Sequence, residues 1–250
     1  MVRPVGPGPP VPAISDQRRP FVATVVLLSL AAGGTDAISL LHLGGIFSSV
    51  VTGNIVVLGA SATGVEVPTL VRVLAAVGCY GLGVFAGARL TALPWYATPP
   101  GLRWRPRAAI TCLAIEVLLL IAFWAGWLAA HGAPRGDVQL PLIALAGLAM
   151  GMQSVAVRAL GRTNLSTTYL TGSLTRIVSA IGTPEWRRQF DGVQALALAG
   201  VLIGAGIAVL ATELLRWAGP LPPVLFTVTA GGLLLANAIG GRQSGGRGVS

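Results

Sequence analysis

Two carboxylic acids, Asp36 and Glu116, lie deep inside long apolar stretches of this chain. A charge at the centre of a bilayer costs about 2.5–3.5 kcal/mol on insertion scales, so each needs a partner, water or a proton. As a structural anion Asp36 would pair with an Arg or cap the helix expected from Gly44 onward. As a functional group it would hold a solute or ion, or take and release a proton. Glu116 reads equally well as a group bonding a neighbouring helix. Two polar triplets interrupt apolar runs in the same way, Thr52-Gly53-Asn54 and Thr171-Gly172-Ser173. Gly lets a helix break, and the flanking hydroxyls and amide can satisfy the backbone groups that a break frees. A plain kink bonded to a neighbour is the simpler reading, and a solute or ion site the richer one. Thr175 and Arg176 follow the second triplet, and that Arg could hold an anion or neutralise Asp36.

Patterns for catalysis are missing. There is no HExxH, no CxxC and no phosphate-binding glycine loop. Gly59-Ala60-Ser61-Ala62 is faintly like an intramembrane serine nucleophile, but neither His42 nor His131 sits mid-span to serve as its base. Cys79 and Cys112 fall in separate apolar runs far apart in sequence, so neither disulfide nor metal chemistry is expected of them. The expectation is a protein that is no enzyme and carries no metal or cofactor.

The elements that must position these residues are membrane helices. Of 250 residues 54% are apolar and only 10% charged, where a soluble domain is nearer one quarter charged. The 34 glycines suit helices that touch backbone to backbone. All 17 basic residues are Arg, scattered rather than clustered with aromatics, so nucleic acid is a poor partner and topology a better reading. Apolar runs cover Phe21–Leu41, Ile46–Ala62, Leu70–Leu93, Ala108–Ala130, Leu140–Leu160, Leu165–Ile181, Val193–Leu215 and Leu221–Ile239, with prolines at the joints. The two runs holding the triplets are the short ones. Residues 1–20 read as a disordered Pro-rich arm, and 240–250 as a disordered tail.

The chain also reads as a duplication. Val51–Ile55 aligns with Leu170–Leu174 at an offset of 119, and Gly83/Gly87 with Gly200/Gly204 at 117. At 117 Asp36 meets the neutral amide Gln153. Two similar halves follow, 21–130 and 140–239. Both glycine pairs are GxxxG, a helix-contact spacing that offers a face to a second copy. If both short segments dip into the membrane and return, every Arg except Arg72, Arg135 and Arg216 lies on one side, as the positive-inside rule favours. Each half then has three spans, so the second is inverted relative to the first. The fold class expected is an all-α polytopic membrane protein with six spanning helices plus two re-entrant or broken helices, in two inverted-topology repeats. Such repeats with discontinuous helices are typical of secondary transporters.

Gly33–Ala37, Gly44–Phe47, Val51–Asn54, Met150–Gln153, Val157-Arg158 and Thr167–Arg176 together resemble the YoaK-like family of bacterial multi-pass membrane proteins, over about residues 21–240. Ser154 departs from the Asn that often follows the Gln there. The resemblance implies an inner-membrane protein of about six spans and supplies no substrate. The functional expectation is a secondary transporter or permease for a small solute, with a leaning toward an anion. Its site would be built from Asp36, Thr52, Gly53, Asn54, Gln153, Thr171, Gly172, Ser173, Thr175 and Arg176. The alternative is a non-transporting scaffold or accessory subunit. The topology is testable by labelling single cysteines in a cysteine-free background. Cysteines at 66 and 135 should react with an impermeant reagent from outside and those at 103 and 187 should not; outside labelling at 103 would refute the arrangement.

Overall fold

The computed structural model describes residues 14–61, 67–96, 105–160 and 192–245, with positions 172, 174, 175, 178 and 179 between them. Those residues include seven α-helices of 11 residues or more, and no strand: α1 Ile14–His42, α2 Val51–Ser61, α3 Val67–Thr91, α4 Pro106–Ala129, α5 Gln139–Ala159, α6 Gly192–Leu214 and α7 Leu221–Gly245. Six of them carry membrane-length apolar stretches of 22–25 residues. At 1.5 Å per residue each exceeds the roughly 30 Å of hydrocarbon in a bilayer. α2 has 11 residues, about half that depth. Leu82, Phe85, Leu118, Leu202 and Leu225 stand exposed on the outside of the bundle, as lipid-facing side chains do.

Helix limits follow local chemistry. Proline opens α4 at Pro106, where the first turn has no use for its missing N–H. Pro68, Pro141 and Pro222-Pro223 likewise fall in the first turns of α3, α5 and α7. α4 ends where His131 turns left-handed (φ 53°), with His131 N–H donating to the Leu128 carbonyl and Gly132 N–H to that of Trp127. α1 begins at Ile14 and α7 runs to Gly245, so helix reaches into both segments expected to be disordered. In the first of these, prolines are dense only up to Pro12.

The broken segment differs from expectation in place. The break is not at Thr52-Gly53-Asn54 but upstream, at 43–50, and the triplet lies in the first turn of α2. Gly44 and Gly45 take φ of 87° and 78°, which ends α1 and turns the chain back. The partner segment, 165–181, lies almost wholly outside the described residues.

α1 and α5 are the central helices. Of their membrane-length stretches 61% and 67% are buried, against 39% or less in the other four. α1 packs on α6 and α7, α5 packs on α3 and α4, and α4 closes against α7. Glycine makes the tightest of these contacts. A Cβ on Gly33 would strike the Val201 carbonyl, and one on Gly204 the Leu30 carbonyl, so α1 and α6 touch along bare backbone. The α3–α5 contact is built alike, with Gly83 against the Leu148 carbonyl and Gly151 against that of Tyr80. The two GxxxG strips are therefore occupied within the chain, and a second copy would have to meet other faces.

Alanine at Gly204 or Gly151 should cost about 1–3 kcal/mol, because backbone must shift to admit the methyl. Alanine at Gly78 or Gly206, where nothing lies within 4 Å, should not. Melting of the purified variants in detergent checks this; equal melting points for both pairs would be the contrary result.

Candidate functional site

The first polar centre lies where α1, the 43–50 loop and the start of α2 meet. Asp36 is buried, and its Oδ1 accepts the Ser48 N–H (2.8 Å), the Ser48 hydroxyl (2.7 Å) and the Ser49 N–H (2.7 Å). The Ser49 hydroxyl donates to Oδ2. One carboxylate thus satisfies two consecutive backbone N–H groups that the break leaves without helical partners. Asn54, buried, closes the same loop from the other side. Its Nδ2 donates to the Phe47 carbonyl (2.7 Å) and its Oδ1 accepts the Phe47 N–H (3.0 Å). Gly53 is half-buried against the Phe47 ring, where a Cβ would come within 3.2 Å. Thr52 is exposed. Among the described residues Asp36 makes no ion pair, and the nearby Arg72 lies over Gly44 instead.

The second centre joins α4, α5 and α7. Gln153 Nε2 donates to Glu116 Oε1 at 2.9 Å. The Thr227 hydroxyl lies between that oxygen (3.2 Å) and the Pro223 carbonyl (3.0 Å). Glu116 and Thr227 are 0% exposed and Gln153 1%, and among the described residues Glu116 Oε2 has no hydrogen-bond partner. Beside it, Tyr80 on α3 and Ser154 on α5 share a hydrogen bond of 2.7 Å. Gln153, expected beside Asp36, therefore serves Glu116.

A third feature is an open polar cavity of about 440 Å³ at the bundle end where α1 and α6 finish. His42, Arg135, Gln139, Glu213 and Arg216 line it. Gln139 Nε2 donates to the carbonyls of His42 (2.9 Å) and Pro134 (3.2 Å), tying the α4–α5 turn to α1. Trp127 Nε1 donates to the Arg216 carbonyl (2.7 Å), and its ring meets His42 edge-on at 5.4 Å. Glu213 and Arg216, three residues apart, both line the cavity and form no ion pair among the described residues.

Of the remaining expected site residues, Thr171, Ser173 and Arg176 lie outside the described residues. Gly172 and Thr175 are helical and exposed. Sequence reasoning passed over Ser48, Ser49 and Thr227. The adjacent serines twelve and thirteen residues after Asp36 were a readable signal; Thr227 was not, because Thr occurs often in membrane helices as a bond to its own backbone.

Six membrane-length helices, buried carboxylates and lipid-facing leucines define a multi-pass membrane protein. The family described as "protein of unknown function (DUF1275)" matches residues 24–233, and the chain belongs to it. It is similar to the UPF0700 transmembrane protein YoaK of Bacillus subtilis (strain 168), with 32% identity over 157 residues, 62% of this chain and 64% of that protein. The matched region thus spans less than two-thirds of that relative's length. No solved structure matches.

Removing the Asp36 carboxylate leaves two buried N–H groups unpaired, at about 1–3 kcal/mol each. Asp36→Leu should therefore lower the melting temperature far more than Ser48→Ala or Ser49→Ala, which leave the backbone donors on Asp36. Asn54→Ala should also destabilise. If Asp36→Leu melted like the serine variants, the clamp would be refuted.

Proposed function

We propose that this chain is a secondary transporter or permease for a small solute, preferentially an anion, in a bacterial cytoplasmic membrane. The polar cavity between the ends of α1 and α6 carries the reading. It is a solute-sized space opening where the two sequence halves meet, and Arg135 and Arg216 line it. Arg offers a carboxylate or phosphate a forked, charge-assisted donor set. Glu213 in the same lining would favour a solute that also bears an amine. The Asp36-held break and the half-depth α2 add a discontinuous helix, the element around which transporter sites are commonly built.

Inverted repetition belongs to the same proposal. α1 and α5 are equivalent in the two halves, as are α3 and α6, and α4 and α7. The contacts then repeat: α1 on α6 mirrors α5 on α3, and α1 on α7 mirrors α5 on α4. Asp36 and Gln153, the matched positions, sit on the two central helices. Rocking of one half against the other about these glycine seams would expose the site alternately to the two sides. Both termini are assigned to the cytoplasm because that places most Arg residues there. Movement of a solute, and no covalent reaction, is the activity assigned; nucleic acid has no part in it.

Uptake into proteoliposomes, measured against labelled small anions, zwitterions, cations and neutral solutes, tests the proposal. Transport of an anion or zwitterion is expected, falling about tenfold when Arg135 and Arg216 are both changed to Gln, as befits loss of a charge-assisted contact. No uptake of any solute by protein that is monodisperse and folded would favour the scaffold or accessory-subunit reading instead.

A further inference from the structure

Three buried side-chain atoms lack a partner among the described residues: Ser39 Oγ, Gln194 Oε1 and Glu116 Oε2. Only the last belongs to an acid–base group. Glu116 lies at the middle of α4, 0% exposed, with Oε1 engaged by Gln153 and Thr227 and Oε2 facing no donor or acceptor. A sealed carboxylate without a cation is costly, and full pairing of both oxygens is the usual remedy. Asp36 has that remedy and Glu116 does not. Oε1 is held in place by its two partners, and Oε2 is left without one among the described residues.

We propose that Glu116 is a proton-binding site, taking a proton from water onto Oε2 when α4 and α7 part and holding it as the neutral acid when they close. An O–H bond forms at Oε2 and the carboxylate charge is discharged; release is the reverse, with the proton returned to water. Gln153 and Thr227 are positioning residues, holding Oε1 as the acceptor so that the proton is carried by Oε2. The titratable and charged surroundings are sparse. Cys112 lies one turn earlier on α4 and is buried. α5 contributes only Arg158, exposed at the far end, and α7 has no titratable residue between Leu221 and Ile239. α1, beyond them, carries Asp36, already committed to Ser48 and Ser49, and His42 at its end. α3 contributes Tyr80, bonded to Ser154, and among the described residues no fixed cation competes with the proton. Coupling this protonation to solute movement rests on the transport reading above, whereas the site itself does not.

Infrared difference spectroscopy of the full chain in lipid nanodiscs tests the site without any solute. The protonated-carboxyl band should be present in the wild type, absent from Glu116→Gln, lost as pH rises and shifted in heavy water. Thr227→Val should move the band without abolishing it, which identifies its source even if Glu116→Gln folds poorly. A band that neither titrates nor exchanges with deuterium would overturn the proposal, as would one insensitive to Thr227→Val. Loss of the band on adding sodium at fixed pH would also overturn it, in favour of a metal-cation site. A titrating band in a protein that moves no solute in proteoliposomes would uphold the proton site while refuting the transport reading. Uptake whose pH dependence is the same in Glu116→Gln as in the wild type would overturn the coupling role.

Discussion

Inside a bilayer the backbone has no water to bond, so a chain that leaves the helix there must find partners in its own side chains. At residues 43–50 this constraint falls largely on one carboxylate. Asp36 takes two consecutive N–H groups and two hydroxyls, and Asn54 takes both backbone groups of Phe47. Without them the start of α2 would present bare donors to an apolar interior. The position of α2 against α3, and the direction in which the chain returns, depend on that clamp.

The larger architecture answers a second constraint. Lipid tails are as apolar as leucine, so membrane helices gain little from burying leucine and more from close backbone approach. That explains why Gly, not a large apolar residue, stands at the two most intimate seams, with Gly33 and Gly204 between α1 and α6 and Gly83 and Gly151 between α3 and α5. Large side chains fill the spaces beside them. Leu28, Leu113 and Leu234 pack together in one cluster, and Phe123, Trp127 and Ile38 in another. The seams bring backbone against backbone, and the polar site features lie at the ends of the bundle and at a few interior points.

Much of this was legible from the residues alone. Apolar run length and proline position located the six long helices, because both follow from bilayer thickness and the missing proline N–H. The GxxxG pairs marked contact strips but could not name the facing helix, since spacing on one helix says nothing about its neighbour. The triplet at Thr52–Asn54 pointed to a break and misplaced it by a few residues. The turn is set by Gly44 and Gly45 at positive φ, and in so Gly-rich a chain those two carried no special mark. Gln153 was matched to Asp36 by sequence offset. An offset identifies equivalent places in two halves, and equivalent places need not touch.

The two buried carboxyls show how far residue type falls short of role. Both sit in apolar helices, and neither has an ion-pair partner among the described residues. Asp36 lies beside a loop that supplies donors to both of its oxygens, so its charge is held by the protein and its removal would loosen the fold. Glu116 lies between intact helices whose backbone donors are already spent on their own hydrogen bonds, leaving only side chains to serve it. Gln153 and Thr227 reach one oxygen and no group among the described residues reaches the other. A helix break generates free donors and an unbroken helix generates none; that difference in backbone, rather than in depth or acidity, makes one carboxyl a clamp and leaves the other free to bind a proton.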